Sequence, residues 1–126
     1  DYLGRMRYTG RNDNSQDVNY VVMDTQAIAV ADGSETGSWN LQTMKGGALD
    51  QRIRVNGDET VLNDEPKDVD FRVESTGNAN MLFVDAGNNK VGIGTGSPAE
   101  MLHVASDAKF DGNVYNKRDG CNTGTR

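Results

Sequence analysis

Between Lys90 and Gly96 the chain reads KVGIGTG, the stretch that most narrows what it can fold into. Val91 and Ile93 alternate with Gly92 and Gly94, the two-residue period of a β-strand, so one face is apolar and the other carries no side chain. A bare strand face costs conformational entropy and is kept where backbone or a side chain approaches closely, so a neighbour is expected against it. The flanking residues keep the same period. Val69, Phe71 and Val73 alternate with Asp70, Arg72 and Glu74, the pattern of a half-buried strand. Ser75 to Asn80 supplies turn residues, Met81 to Asp85 reads as a short strand, and Ala86 to Asn89 as a turn whose Gly and Asn tolerate positive φ.

Upstream, Leu3 is out of phase with Met6 and Tyr8 while Arg5 and Arg7 share the other face, which predicts a strand interrupted or bulged at Gly4. Gly10 to Asp17 is a polar loop. Asn19 to Ala31 is rich in β-branched residues with apolar side chains on both faces, and the Ile28 and Val30 pair weakens a helical reading of QAIAVA. DGSETG at 32–37 is a turn, Trp39, Leu41 and Thr43 alternate with Asn40, Gln42 and Met44, and Gly46 with Gly47 marks a hairpin before Gln51 to Asn56. Asn63 to Pro66 is the best boundary. The chain thus divides into a β module at 1–57, a linker at 58–67, a second β module at 68–115 and a polar tail at 116–126, expected to be frayed or cut from a continuing chain. SPAE at 97–100 has the form of a capping box, so at most one short helical turn is expected near 97–101. Leu102 and Val104 resume alternation, and Phe110 and Val114 flank a DGN turn as if another module began.

Leu, Ile, Val and Phe together make up 24 of 126 residues, about 19%, at the edge of the range in which chains stay disordered. A lone core would be thin, yet the net charge of −6 is modest and the apolar residues are patterned. The expectation is a chain that completes its core with copies of itself. Nineteen acidic against thirteen basic residues, with no basic cluster, argue against nucleic acid. No apolar run is long enough to cross a bilayer, so no membrane insertion is expected, and no secretory signal is visible. The start at Asp1 without Met suggests a fragment or processed form.

Sites of chemistry are not evident. His103, the only histidine, lies inside a strand pattern and suits a contact between copies better than a triad or metal centre. Cys121 has no second cysteine and no base nearby, and is read as an ordinary free thiol. DAGNNK at 85–90 lacks the ligand spacing of an EF-hand and reads as a hairpin turn. Gly92, Gly94 and Gly96 are followed by no GK[ST] and no long helix, so crowded strands explain them better than a phosphate loop. Trp39 alternates with polar residues as a core or cross-strand partner does. No catalytic residue, metal or cofactor is assigned.

DFRVES, then FVDAGNNKVGIGT, then SPAEMLHV resembles the repeated shaft module of bacteriophage tail fibres and related receptor-binding fibres. The likeness is strongest over about a third of the chain, through VGIGTGSP and LHV. LGRMRYTG, ADGSETG and WNLQTMKGGALDQRIRV resemble, less specifically, the fibre segment that commonly precedes the module. The resemblance implies an all-β, elongated, intertwined homotrimeric fibre, like a β-prism or triple β-helix, with short strands and tight turns. It implies a non-enzymatic virion component at the tail fibre, outside the cell, whose partners are other tail or fibre proteins and a glycan or protein receptor on the host surface. In such a trimer Val69, Phe71, Val73, Val91, Ile93, Leu102 and Val104 are the expected packing residues. Many such fibres end in an autocleaving chaperone domain; ASDAKFDGNVYNKRDG after Val104 shows no such signature, as removal of that domain would leave it. A bacterial surface adhesin or filament subunit is the alternative, which a secretion signal in the full-length gene would favour. A fibre-borne glycan depolymerase is third, because its paired carboxylates would have to come from acidic residues that here fall mostly in turns.

Overall fold

Every regular element among the described residues is a strand, as the two-residue alternation predicts. The computed structural model describes residues 1–65 and 67–115 and holds, among them, nine strands and no helix. β1 (Tyr2–Arg11), β2 (Asp17–Ala29), β3 (Thr36–Lys45), β4 (Ala48–Asn56) and β5 (Thr60–Leu62) form an antiparallel sheet in chain order. Short polar turns hold it. Asn12 Oδ1 accepts from the Asn14 and Gln16 N–H groups after β1, and Asn56 Oδ1 accepts from Asp58 and Glu59 after β4, the local competition that makes Asn a turn former. Gly46 and Gly47, with φ of 59° and 86°, form the two-residue turn between Lys45 and Ala48; positive φ at both positions is what the right-handed strand twist demands. Register slips between Tyr2 and Gly4, at the expected bulge, and between Leu41 and Gln42.

The second sheet comprises β6 (Phe71–Val73), β7 (Leu82–Asp85), β8 (Lys90–Ile93) and β9 (Leu102–Val104) in that order. Its first three strands are antiparallel, and β9 runs parallel to β8. The β7–β8 turn is the DAGNNK segment. Asp85 accepts from the Asn88 backbone and side chain at 2.8–3.1 Å, and these bonds, the side-chain one foremost, hold its carboxyl below the usual aspartate value. Val69 lies before β6 rather than in it.

The parallel β8–β9 pair is joined by residues 94–101, shorter than a usual crossover. Here the capping-box reading fails: 97–101 bends without a helical turn. The backbone groups a helix would use are taken elsewhere. Ser97 N–H donates to Thr95 Oγ1, Ala99 N–H donates to His103 Nδ1 at 3.2 Å, and the Ala99 carbonyl accepts from Lys90 Nζ at 2.9 Å. A Cβ on Gly92 would collide with the Thr95 carbonyl, so the neighbour expected against the bare strand face is this connection itself.

Residues 105–115 form no strand, and Phe110 and Val114 stand exposed instead of opening another module. The polar tail at 116–126, with Cys121, and Pro66 of the linker lie outside the described residues. Lys45 Nζ reaches from the first sheet to the Asp68 carbonyl at 2.8 Å.

Candidate functional site

Residues directly opposite on paired strands share a face, so the register sorts each sheet into two. In the first sheet one face carries the row Arg5, Asp24, Asn40, Arg54 and Val61, flanked by the row Arg7, Val22, Gln42 and Gln51. Its centre is a closed polar network. Asp24, 2% exposed, accepts from Asn40 Nδ2 at 2.9 Å, Gln26 Nε2 at 3.2 Å and Arg5 Nη2 at 3.3 Å, and Asn40 Oδ1 accepts from Gln51 Nε2 at 2.6 Å. Burial pushes the Asp24 carboxyl up, but the bonds from Asn40, Gln26 and Arg5 together with the Arg5 charge outweigh it and leave the group below the ordinary aspartate value. The Arg5 guanidinium also lies 3.6 Å over the Tyr2 ring. Beside the network a hollow of about 310 Å³ is lined by Gln26, Ser38, Asn40, Gln42, Gln51 and Arg54, among others.

The other face is the reverse. Met6, Met23, Leu41, Ile53 and Leu62 form one unbroken apolar row across all five strands, and the next row runs Gly4, Thr25, Trp39, Val55, Thr60. The face stands open at its ends, Met6 at 55% exposure and Leu62 at 44%, with Met23, Leu41 and Ile53 half-buried between them. Its buried charge sits towards one end, where Asp50 lies 3.7 Å from Arg52 Nη2 and 3.8 Å from Lys67 Nζ. Val22, on the polar face, is the one buried large apolar side chain among the described residues, while Asp24, Asn40 and Asp50 are buried. A soluble sheet normally hides its apolar face and wets its polar one. This sheet does the opposite.

The second sheet repeats the arrangement. The rows Phe71, Val84, Val91, Leu102 and Val73, Leu82, Ile93, Val104 fall on one face, which is therefore apolar throughout. Six of the seven expected packing residues are brought together there; Val69, half-buried, is outside the strands. Phe71, Val73, Ile93 and Leu102 remain exposed in the single chain, Leu102 at 64%. His103 sits on the opposite face, opposite Gly92, away from the residues with which a contact between copies was expected. Its Nδ1 is spent on Ala99.

The accessible surface of the chain is 9864 Å². A compact monomer of 13.7 kDa exposes about 6,600 Å². Residues 105–115, all exposed and in no strand, contribute to that surplus, and so do the open parts of the two apolar faces, whose chemistry suits association. Among the described residues no group of three or more His, Cys, Asp or Glu side chains gathers as a metal site, and no helix is long and apolar enough to cross a membrane. Sequence reading had found the alternating halves of each strand but missed the row from Met6 to Leu62, which exists only once five strands are in register. No family model, no curated protein and no solved structure matches the chain.

Proposed function

We propose that this chain is a structural segment of a viral tail fibre, a homotrimer outside the cell that joins other tail or fibre proteins and carries attachment to a host surface receptor. The observation that supports it best is the pair of apolar sheet faces left partly open in the single chain, with a surface about half as large again as a compact monomer needs. Such faces are tolerated in a chain whose native state is an assembly. The likeness of VGIGTGSP and LHV to fibre shaft modules supplies the kind of assembly. Its role is mechanical and multivalent: copies shield each other's faces and edges, and repeated fibres turn weak contacts with host glycans or proteins into firm attachment. No catalytic step is assigned to it.

Light scattering tests the assembly. A molar mass near three chains that persists on dilution is expected; a single-chain mass would overturn the trimer. An antibody raised against the chain tests the location, with labelling of fibres on virions expected and labelling of bacterial cell walls pointing instead to an adhesin.

A further inference from the structure

The polar face of the first sheet plays no part in the assembly, and its hollow has no role in it. We propose that this hollow, about 310 Å³ in volume, binds one uncharged sugar ring of a host-surface glycan. That the sugar belongs to a surface glycan rests on the attachment proposed above; that the hollow takes a sugar does not.

The buried carboxylate sets the polarity of the lining. An ionised Asp24 can only accept, so Gln26 and Asn40 turn their N–H groups to it. Asn40 Oδ1 in turn accepts from Gln51 Nε2. Gln26 Oε1 and Gln51 Oε1 are thereby left as acceptors with no partner among the described residues. Asn56 Oδ1 is taken by the Asp58 and Glu59 N–H groups, which leaves Nδ2 as a free donor. Gln42 makes no side-chain hydrogen bond among the described residues and offers both kinds of group. All four residues line the hollow. Their free groups are open to solvent, since the buried atoms without a partner among the described residues are Arg52 Nη1, Arg54 Nε and Asn63 Oδ1.

Free donors set among free acceptors suit hydroxyls, because each hydroxyl both donates and accepts. A ring carrying several of them meets both at once. Ions fit less well. Arg54, the one cation in the lining, is already paired with Glu59 at 2.9 Å and Asp64 at 3.3 Å, and Asp58 is the one acid there. No spare cation remains for a phosphate or carboxylate, and no set of carboxylates for a metal ion. A peptide would pair with a free strand edge, but β3, whose Ser38, Asn40 and Gln42 line the hollow, is bonded to β2 on one side and β4 on the other. Ile28, 60% exposed, is the one large apolar residue in the lining and supplies a contact for the C–H side of a ring. The volume lies at the small end of ligand pockets, which run from about 300 to 1,000 Å³. The Asp24 network fixes the amides beforehand, which lowers the ordering cost of binding.

Saturation-transfer NMR on the full chain with methyl α-mannoside, methyl β-galactoside and methyl β-glucoside tests the hollow. Transfer to at least one is expected, with the side-chain amide signals of Gln42 and Asn56 shifting as that sugar is added. Gln42→Ala removes no bond within the fold and is expected to weaken binding about tenfold, the worth of two hydrogen bonds. Met101→Ala, 78% exposed in the second module, is expected to bind as the unaltered protein does. Absence of transfer to all three sugars, or equal binding by Gln42→Ala, overturns the site and leaves the three-chain mass of the fibre reading untouched. Tighter binding of inorganic phosphate or methyl sialoside than of the neutral sugars overturns the uncharged assignment. A printed array of bacterial polysaccharides tests the source: retention that the same methyl glycoside competes away is expected, and retention by none of them overturns the surface glycan.

Discussion

Asp24 shows how a polar residue becomes the best-buried side chain in a sheet that leaves Leu3 and Leu62 exposed. Its two oxygens accept from Asn40, Gln26 and Arg5, so burial leaves neither oxygen unsatisfied. Asp24→Asn replaces an acceptor with a donor facing other donors and is expected to cost about 1–3 kcal/mol in denaturant titration. The pH response follows from the same bonds. A carboxyl held lower in the fold than its unfolded value, about 3.9, stabilises fully above that value and loses its contribution as pH falls through the folded value. Stability is therefore expected to drop below about pH 4, and to drop less in Asp24→Asn; parallel pH profiles would contradict this. Gly92 tests crowding. Gly92→Ala sets a methyl into the Thr95 carbonyl and is expected to cost about 1–3 kcal/mol, whereas Gly77→Ala, with open space around it, is expected to be neutral or slightly stabilising.

At the scale of elements, the bulge in β4 decides which face is apolar. Counting back from the Lys45–Ala48 pair without a slip would set Leu41 against Arg52 and Trp39 against Arg54. The slip between Leu41 and Gln42 sets them against Ile53 and Val55 instead, and completes both apolar rows. A one-residue change of register exchanges every side chain between faces. The 94–101 connection shows the other element-level device, a loop held by side chains in place of a helical turn. His103→Ala removes the acceptor of the Ala99 N–H, so hydrogen exchange at Ala99 is expected to quicken by an order of magnitude or more, with β7 amides little changed. Unchanged protection of Ala99 would show that the connection does not depend on the imidazole.

For the whole molecule, stability and assembly are one quantity if the apolar faces close only between copies. The heat-unfolding midpoint is then expected to rise with protein concentration, as it does when subunit binding is linked to folding. Midpoints identical over a hundredfold range of concentration would show that one chain is stable alone and would count against the assembly.

Local order was legible from the residues. Alternation marked strands because side chains on a strand point to opposite faces whatever surrounds them, and Gly46–Gly47 and DAGNNK marked turns because positive φ and Asn side chains act within a few residues. SPAE misled for a physical reason: a capping box states a local preference, and Lys90 and His103, brought close by the parallel strand, took the Ala99 carbonyl and N–H instead. What the tertiary structure alone decided is the pairing. The closed Asp24 network, the row from Met6 to Leu62 and the gathering of six packing residues on one face all depend on register between strands, and in the first sheet that register also turns on the slip between Leu41 and Gln42, which, unlike the bulge at Gly4, leaves no mark in the sequence.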